Sequence, residues 1–171
     1  MKNIIQILMV QNGQGKSYMK DKKKENSITE EGKVFFDTNI LIYSIDENDA
    51  YKQNVAKELL EKAAATNTGI ISTQSLQELY NVAVKKLKLS KQTAKEYVDF
   101  FSRQFPVQQI SVPLILDAID ISIKKELSFW DSLIISAAND TGCIIVYSED
   151  MNDGQIVEGT KILNPFAQTA A

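Results

Sequence analysis

Residues 33–46 read KVFFDTNILIYSID, an apolar stretch with a carboxylate and an amide set in its middle. Val34, Phe35 and Phe36 have the bulk and branching of a buried strand, and Ile40, Leu41, Ile42 and Tyr43 resume the apolar run after Asp37, Thr38 and Asn39. The rest of the chain alternates in the same style. A short helix near 39–45 is followed by YKQNVAKELLEKAAA (51–65), with Val55, Leu59, Leu60 and Ala63 at helical spacing. GIIS (69–72) is a second buried strand. TQSLQELYNVAVKKL (73–87) and SKQTAKEYVDFFSRQ (90–104) are helical, Ser90 being a suitable N-cap. VQQI (107–110) is a third strand, helices follow near 113–126 and 128–140, and CIIVYS (143–148) and TKIL (160–163) complete the strands. Strands separated by helices predict right-handed crossovers. The expected fold is α/β, a three-layer sandwich around a central parallel sheet of about five strands.

Length and composition suit one such domain: 171 residues, 44% hydrophobic and 24% charged. No apolar run approaches the ~18 residues of a membrane span. The opening MKNIIQILMV is followed by QNGQGKSYMKDKKK rather than by a small-residue cleavage site, so it is not read as a secretory signal. Cys143 is the single cysteine, which allows no internal disulfide and points to a reducing compartment, the cytoplasm. Residues 11–32 lack apolar periodicity and are rich in Lys, Gly, Asn and Ser. The expected organisation is a flexible extension over 1–32, a folded domain over 33–166 and a tail over 167–171. GQGKS (13–17) is not a phosphate-binding loop, because Val10 stands where that motif needs its first glycine.

Two counts narrow the chemistry. There is no histidine, so acid–base catalysis by imidazole is excluded for this chain alone. Residues 1–32 carry six lysines against four acids, a net of +2, which leaves −5 for the remainder. A domain of that sign grips nucleic acid only through a local basic patch or bound cations.

In open parallel sheets, sites form beyond the carboxyl ends of the strands. Asp37 ends the first strand and Asp150 stands just past CIIVYS, at the same edge. Glu78 lies early in the helix after GIIS, and Asp131 falls three residues after Ser128 at the head of a largely apolar helix. Each also has a structural reading: Asp37 as the cap of the next helix, Asp131 in a capping box with Ser128, Glu78 as a solvated helix residue, Asp150 as a loop acid. Gathered at one edge, the four would repel one another and raise each other's pKa, and a divalent cation would relieve that repulsion. Mg²⁺ and Mn²⁺ favour such oxygen ligands.

The segments VFFDTNILIYSID, TQSLQELYNV, LSFWDSLIISAANDTGC and VYSEDMNDGQIVEGTKILNPF resemble, in order, the motifs of PIN-domain ribonucleases. The nearest group is the VapC-like toxins of toxin–antitoxin pairs. The likeness covers about residues 33–166. It implies that Asp37, Glu78, Asp131 and Asp150 are the catalytic and metal-holding acids, with Asp153 an additional ligand and Asn39 and Ser148 in support. It further implies hydrolysis of RNA with Mg²⁺ or Mn²⁺, products with 5′-phosphate and 3′-hydroxyl ends, a homodimer, and a small antitoxin as partner. The extension over 1–32 departs from the family, which usually begins within a few residues of the first strand. A local basic patch for RNA is offered by Lys85, Lys86, Lys88, Lys91, Lys95 and Arg103, which also suit a solvated helix face or a protein contact. Two other functions stay open: a catalytically silent PIN-like binding module, and a DNA nuclease akin to flap endonucleases. Other acid motifs fail on spacing. Asn39 stands where a haloacid-dehalogenase phosphatase needs a second Asp, VQQISVP lacks the acid of a phospho-receiver, and Lys161 is twelfth from Asp150 where a calcium loop ends in an acid.

Overall fold

The computed structural model describes residues 32–167. In chain order the elements are β1 (Val34–Phe36), α1 (Thr38–Ile45), α2 (Ala50–Thr66), β2 (Gly69–Ser72), α3 (Thr73–Lys85) and α4 (Lys91–Gln104). They continue with β3 (Val107–Gln108), α5 (Val112–Lys125), α6 (Phe129–Asp140), β4 (Ile145–Tyr147), β5 (Ile156–Val157) and β6 (Thr160–Leu163). The sheet runs β3-β2-β1-β4-β6-β5 and is parallel except for the β5–β6 pair. Phe35 pairs with Ile70 on one side and Val146 on the other.

Neighbouring residues of β1 point to opposite faces, and each nucleates its own core. Phe36 packs with apolar residues of α1, α2, α3 and α4, among them Leu41, Leu60, Leu79 and Phe101. Phe35 packs with Ile121 of α5, Ile134, Ile135 and Ala138 of α6, and Val146 and Ile162. The three expected layers are therefore present, with four helices on one face and two on the other.

Helix starts follow the side chains that can accept orphan backbone N–H groups. Asp49 Oδ1 takes the Lys52 N–H at 3.0 Å, Ser72 Oγ that of Ser75 at 3.1 Å, Ser90 Oγ that of Thr93 at 3.0 Å, and Ser128 Oγ that of Asp131 at 3.1 Å. Gly69 opens β2 where a Cβ would stand 2.9 Å from the rings of both Phe36 and Phe105, so only hydrogen fits.

The sheet has a sixth strand beyond the five expected. Glu158 and Gly159 both take positive φ, 49° and 90°, which turns the chain into a tight hairpin and lays β5 antiparallel on β6. Two residues with one exposed side chain carry too little apolar pattern to be read as a strand beforehand. The extension is outside the described residues except for Gly32, as is the tail except for Ala167. Among the described residues no helix is long and apolar enough to cross a membrane.

From β1 the chain moves to β2 and β3 on one side, then crosses to β4 and β6 on the other. The strand order thus reverses at the β1–β4 boundary. The carboxyl end of β1 lies at that switch point, where loops diverge to leave a crevice.

Candidate active site

Asp37 sits at that point and is only 5% exposed. It follows β1 directly, its backbone N–H still bonding to Tyr147 O of β4 at 3.1 Å. Its Oδ1 takes the Thr38 N–H at 2.6 Å, and its Oδ2 takes the Ser148 hydroxyl at 2.7 Å. Asp37 is thus both the cap of α1 and a buried acid. Burial raises its pKa from 3.8 to about 6, the hydrogen bonds from Ser148 and Thr38 pull the other way, and the negative charges of Asp150 and Glu78 push it up further. Asp37 therefore feels the charges of both Asp150 and Glu78 across the sheet edge.

Glu78 is half-buried on α3 and fixed through both oxygens. Thr38 Oγ1 donates to Oε2 at 2.6 Å and Gln74 Nε2 to Oε1 at 3.0 Å. Asp150, exposed on the loop after β4, accepts from Asn39 Nδ2 at 2.6 Å, and its backbone N–H bonds to Ser148 Oγ at 3.2 Å. The tripeptide Asp37–Thr38–Asn39 thus supplies one acid and holds two others, 40 and 111 residues along the chain from their partners. Ser148 bridges Asp37 and Asp150.

Asp131 lies half-buried in the first turn of α6. Its Oδ2 accepts the Ser128 hydroxyl at 2.8 Å while its N–H bonds back to the same oxygen, a local cap of the kind the sequence suggests. Among the described residues no hydrogen bond ties it to the other three acids. Asp153 Oδ1 takes the Asn164 N–H at 2.8 Å, tying its loop to the end of β6.

Side chains that sequence reasoning passes over complete the site. Thr38 and Gln74 orient Glu78; a polar residue one helical turn before the acid is a usable signal for Gln74 only once the acid is singled out. Tyr43, Lys52 and Glu149 form a second cluster beside Asp150. Tyr43 donates its hydroxyl to Glu149 Oε1, and Lys52 Nζ reaches Glu149 Oε2 at 2.6 Å and Tyr43 Oη at 3.0 Å. The Lys52 ammonium is pushed up chiefly by its bond to Glu149, and the Tyr43 phenol is raised first by burial and then by its bond to Glu149.

The donor set fits a hard divalent cation in kind: carboxylate and amide oxygens, with neither imidazole nor thiolate. Gln74 Oε1 is buried beside Glu78 without a hydrogen-bond partner among the described residues, an acceptor suited to a water or ion. Among the described residues no three His, Cys, Asp or Glu side chains stand close enough to hold a metal ion as placed.

The basic residues divide. Lys85, Lys86, Lys88, Lys91 and Lys95 are exposed, and Lys91 and Lys95 border a groove of about 620 Å³ between α3 and α4 whose wall includes Leu76, Tyr80 and Val98. Arg103 is engaged one helical turn back, Nε and Nη2 both 3.0 Å from Asp99 Oδ1.

The PIN domain family model matches residues 34–152. No curated protein matches the chain in sequence. Among solved structures, the chain is similar to a sarcin–ricin loop cleaving VapC toxin of Mycobacterium tuberculosis, with TM-score 0.56, 19% identity, and 71% of this chain and 91% of that one covered. It is similar to a toxin–antitoxin complex from Klebsiella pneumoniae at TM-score 0.57, 21% identity, and coverage of 78% and 98%. A DNA-bound VapBC from Salmonella typhimurium gives TM-score 0.57, 20% identity, and coverage of 77% and 96%.

Proposed function

The chain belongs to the PIN-domain family, and from that premise we propose that it is a metal-dependent endoribonuclease, the toxin of a toxin–antitoxin pair. The observation that carries the reading is Asp37: a buried acid at the switch point of a parallel sheet, pressed by two further carboxylates. The acting unit is residues 33–166.

A divalent cation, Mg²⁺ or Mn²⁺, supplies an acidified water and positive charge against the phosphate oxygens when bound. Asp37, Glu78 and Asp150 would hold it, with Asp131 closing the set from α6. The protein's own work is orientation. Ser148 and the Thr38 N–H hold Asp37, Thr38 and Gln74 hold Glu78, and Asn39 holds Asp150, which limits the freedom of each carboxylate. Asp153, held to its own loop by the Asn164 N–H, is an additional ligand. RNA is held by the exposed lysines at 85, 86, 88, 91 and 95 together with Arg103, whose side chain stays open to solvent beside Asp99.

The solved toxin–antitoxin structures support an antitoxin partner, and an apolar stripe on α5 supports pairing of two copies. Val112, Leu116, Ile119 and Ile123 recur on one face, 69% and 73% exposed at its two ends, with Trp130 also exposed. The separations within the acid cluster favour one second reading, a PIN-like module that binds RNA or protein without cutting it.

A single assay separates the two. Purified full-length protein with Mn²⁺ should cut a 5′-labelled single-stranded RNA and leave the labelled fragment with a 3′-hydroxyl end. Asp37→Asn and Asp150→Asn should reduce the rate by at least ~10²-fold while remaining folded. Binding without cutting would establish the silent module; folded variants that cut at the wild-type rate would refute the site.

A further inference from the structure

The loop after β4 places two acids in succession, Glu149 and Asp150, and the fold treats them in opposite ways. Asp150 is exposed at the crevice, whereas the Glu149 side chain is 17% exposed and turned towards α1 and α2. Both are gripped from one face of α1: Asn39 and Tyr43 are four residues apart, one turn, so their side chains stack along the helix. Asn39 Nδ2 donates to Asp150 Oδ2 at 2.6 Å and Tyr43 donates to Glu149 Oε1. Lys52 of α2 closes the second grip, 2.6 Å from Glu149 Oε2 and 3.0 Å from Tyr43 Oη, with its ammonium 4.4 Å from the Tyr43 ring centroid and 5.4 Å from that of Phe166. Phe166 meets Tyr43 edge-on at 5.0 Å.

We propose that Tyr43, Lys52 and Glu149 are positioning residues for the nuclease site, an anchor that fixes the β4–β5 loop and with it the Asp150 carboxylate. The proposal rests on the nuclease reading above and adds residues outside its acid set. Three features give the anchor its function. The Lys52–Glu149 pair is more sheltered than the solvent-facing Arg103–Asp99 pair, with side chains 27% and 17% exposed against 78% and 54%, so it is less screened by solvent. It joins residues 97 apart in sequence, so it pins a loop rather than reinforcing a single helix. Lys52 also balances the charge of Glu149, which keeps a further carboxylate from crowding Asp37, Glu78 and Asp150. Glu149 is thereby removed from the ligand set although it adjoins Asp150 in sequence.

The test uses full-length Lys52→Met, Lys52→Arg and Tyr43→Phe beside the wild type, with two readouts: amide hydrogen exchange over residues 148–152 and Mn²⁺ affinity by calorimetry. Lys52→Met should speed exchange over 148–152 by about tenfold or more, leave α4 and α5 unchanged, and weaken Mn²⁺ binding by about tenfold, the usual effect of losing a group that orients a metal ligand. Lys52→Arg should restore most of both. Tyr43→Phe, which keeps the ring and loses the hydroxyl, should move both by a smaller factor, and it decides the matter should Lys52→Met not fold. If the folded variants exchange over 148–152 at the wild-type rate, the anchor is overturned, whatever the metal data. If instead wild-type protein binds no Mn²⁺, the nuclease reading fails, and the exchange data alone uphold or overturn the anchor.

Discussion

Replacing Asp37 by Asn should make the metal-free protein more stable at neutral pH. Raising a carboxyl from 3.8 in the unfolded chain to about 6 in the folded one costs about 3 kcal/mol of folding free energy once the pH exceeds both values. The sign follows from proton binding: between pH 3.8 and about 6 the folded state holds the proton that the unfolded state has lost, so stability from this group falls as pH rises through that window. Asparagine carries no charge to desolvate. It accepts through one oxygen where Asp37 accepts from both Thr38 and Ser148, a loss of about 1 kcal/mol. The net gain is about 2 kcal/mol near pH 7.5, roughly 4–8 °C in Tm for a chain of this size. Differential scanning calorimetry of both proteins in chelator at pH 4, 5, 6 and 7.5 reads it directly. The gain should vanish at about pH 4.5 and reverse below it, where the lost hydrogen bond outweighs the shrinking charge penalty, and excess Mg²⁺ should stabilise the wild type more than the variant. A variant that is less stable at pH 7.5, or a difference independent of pH, would refute the reasoning.

Gly69→Ala should cost about 1–3 kcal/mol in urea denaturation, because the new methyl meets the Phe36 and Phe105 rings at 2.9 Å. Ser148→Ala removes the hydroxyl shared by Asp37 and Asp150 and should lower RNA cleavage about tenfold with the fold intact, read by initial rates beside circular dichroism. Leu116→Lys together with Ile123→Lys should turn a dimer into a monomer in light scattering, since both side chains lie on the exposed stripe of α5; a monomeric wild type would contradict the pairing.

The sheet was legible in the sequence because β1, β2 and β4 are short apolar runs ended by polar residues, and the crossover rule then places Asp37 and the loop carrying Asp150 at one edge. The position of an acid relative to a strand end is local information. The bonds that orient it are not. Thr38 holds Glu78, and Tyr43 and Lys52 hold Glu149, across 40 to 106 residues with no periodic signal to announce them. The basic run from Lys85 to Arg103 reads as one patch in sequence, whereas the pairing of Arg103 with Asp99 one turn back depends on helical geometry. Likewise β5 exists because of the backbone angles of Glu158 and Gly159, not because of hydrophobic pattern.

The central claim is that this carboxylate cluster cuts RNA only with a divalent cation in place. Full-length protein stripped of metal should leave a labelled RNA intact in excess EDTA, and adding Mg²⁺ or Mn²⁺ beyond the chelator should restore cleavage. Undiminished cleavage by the stripped protein in EDTA would contradict the claim, as would no cleavage under either condition.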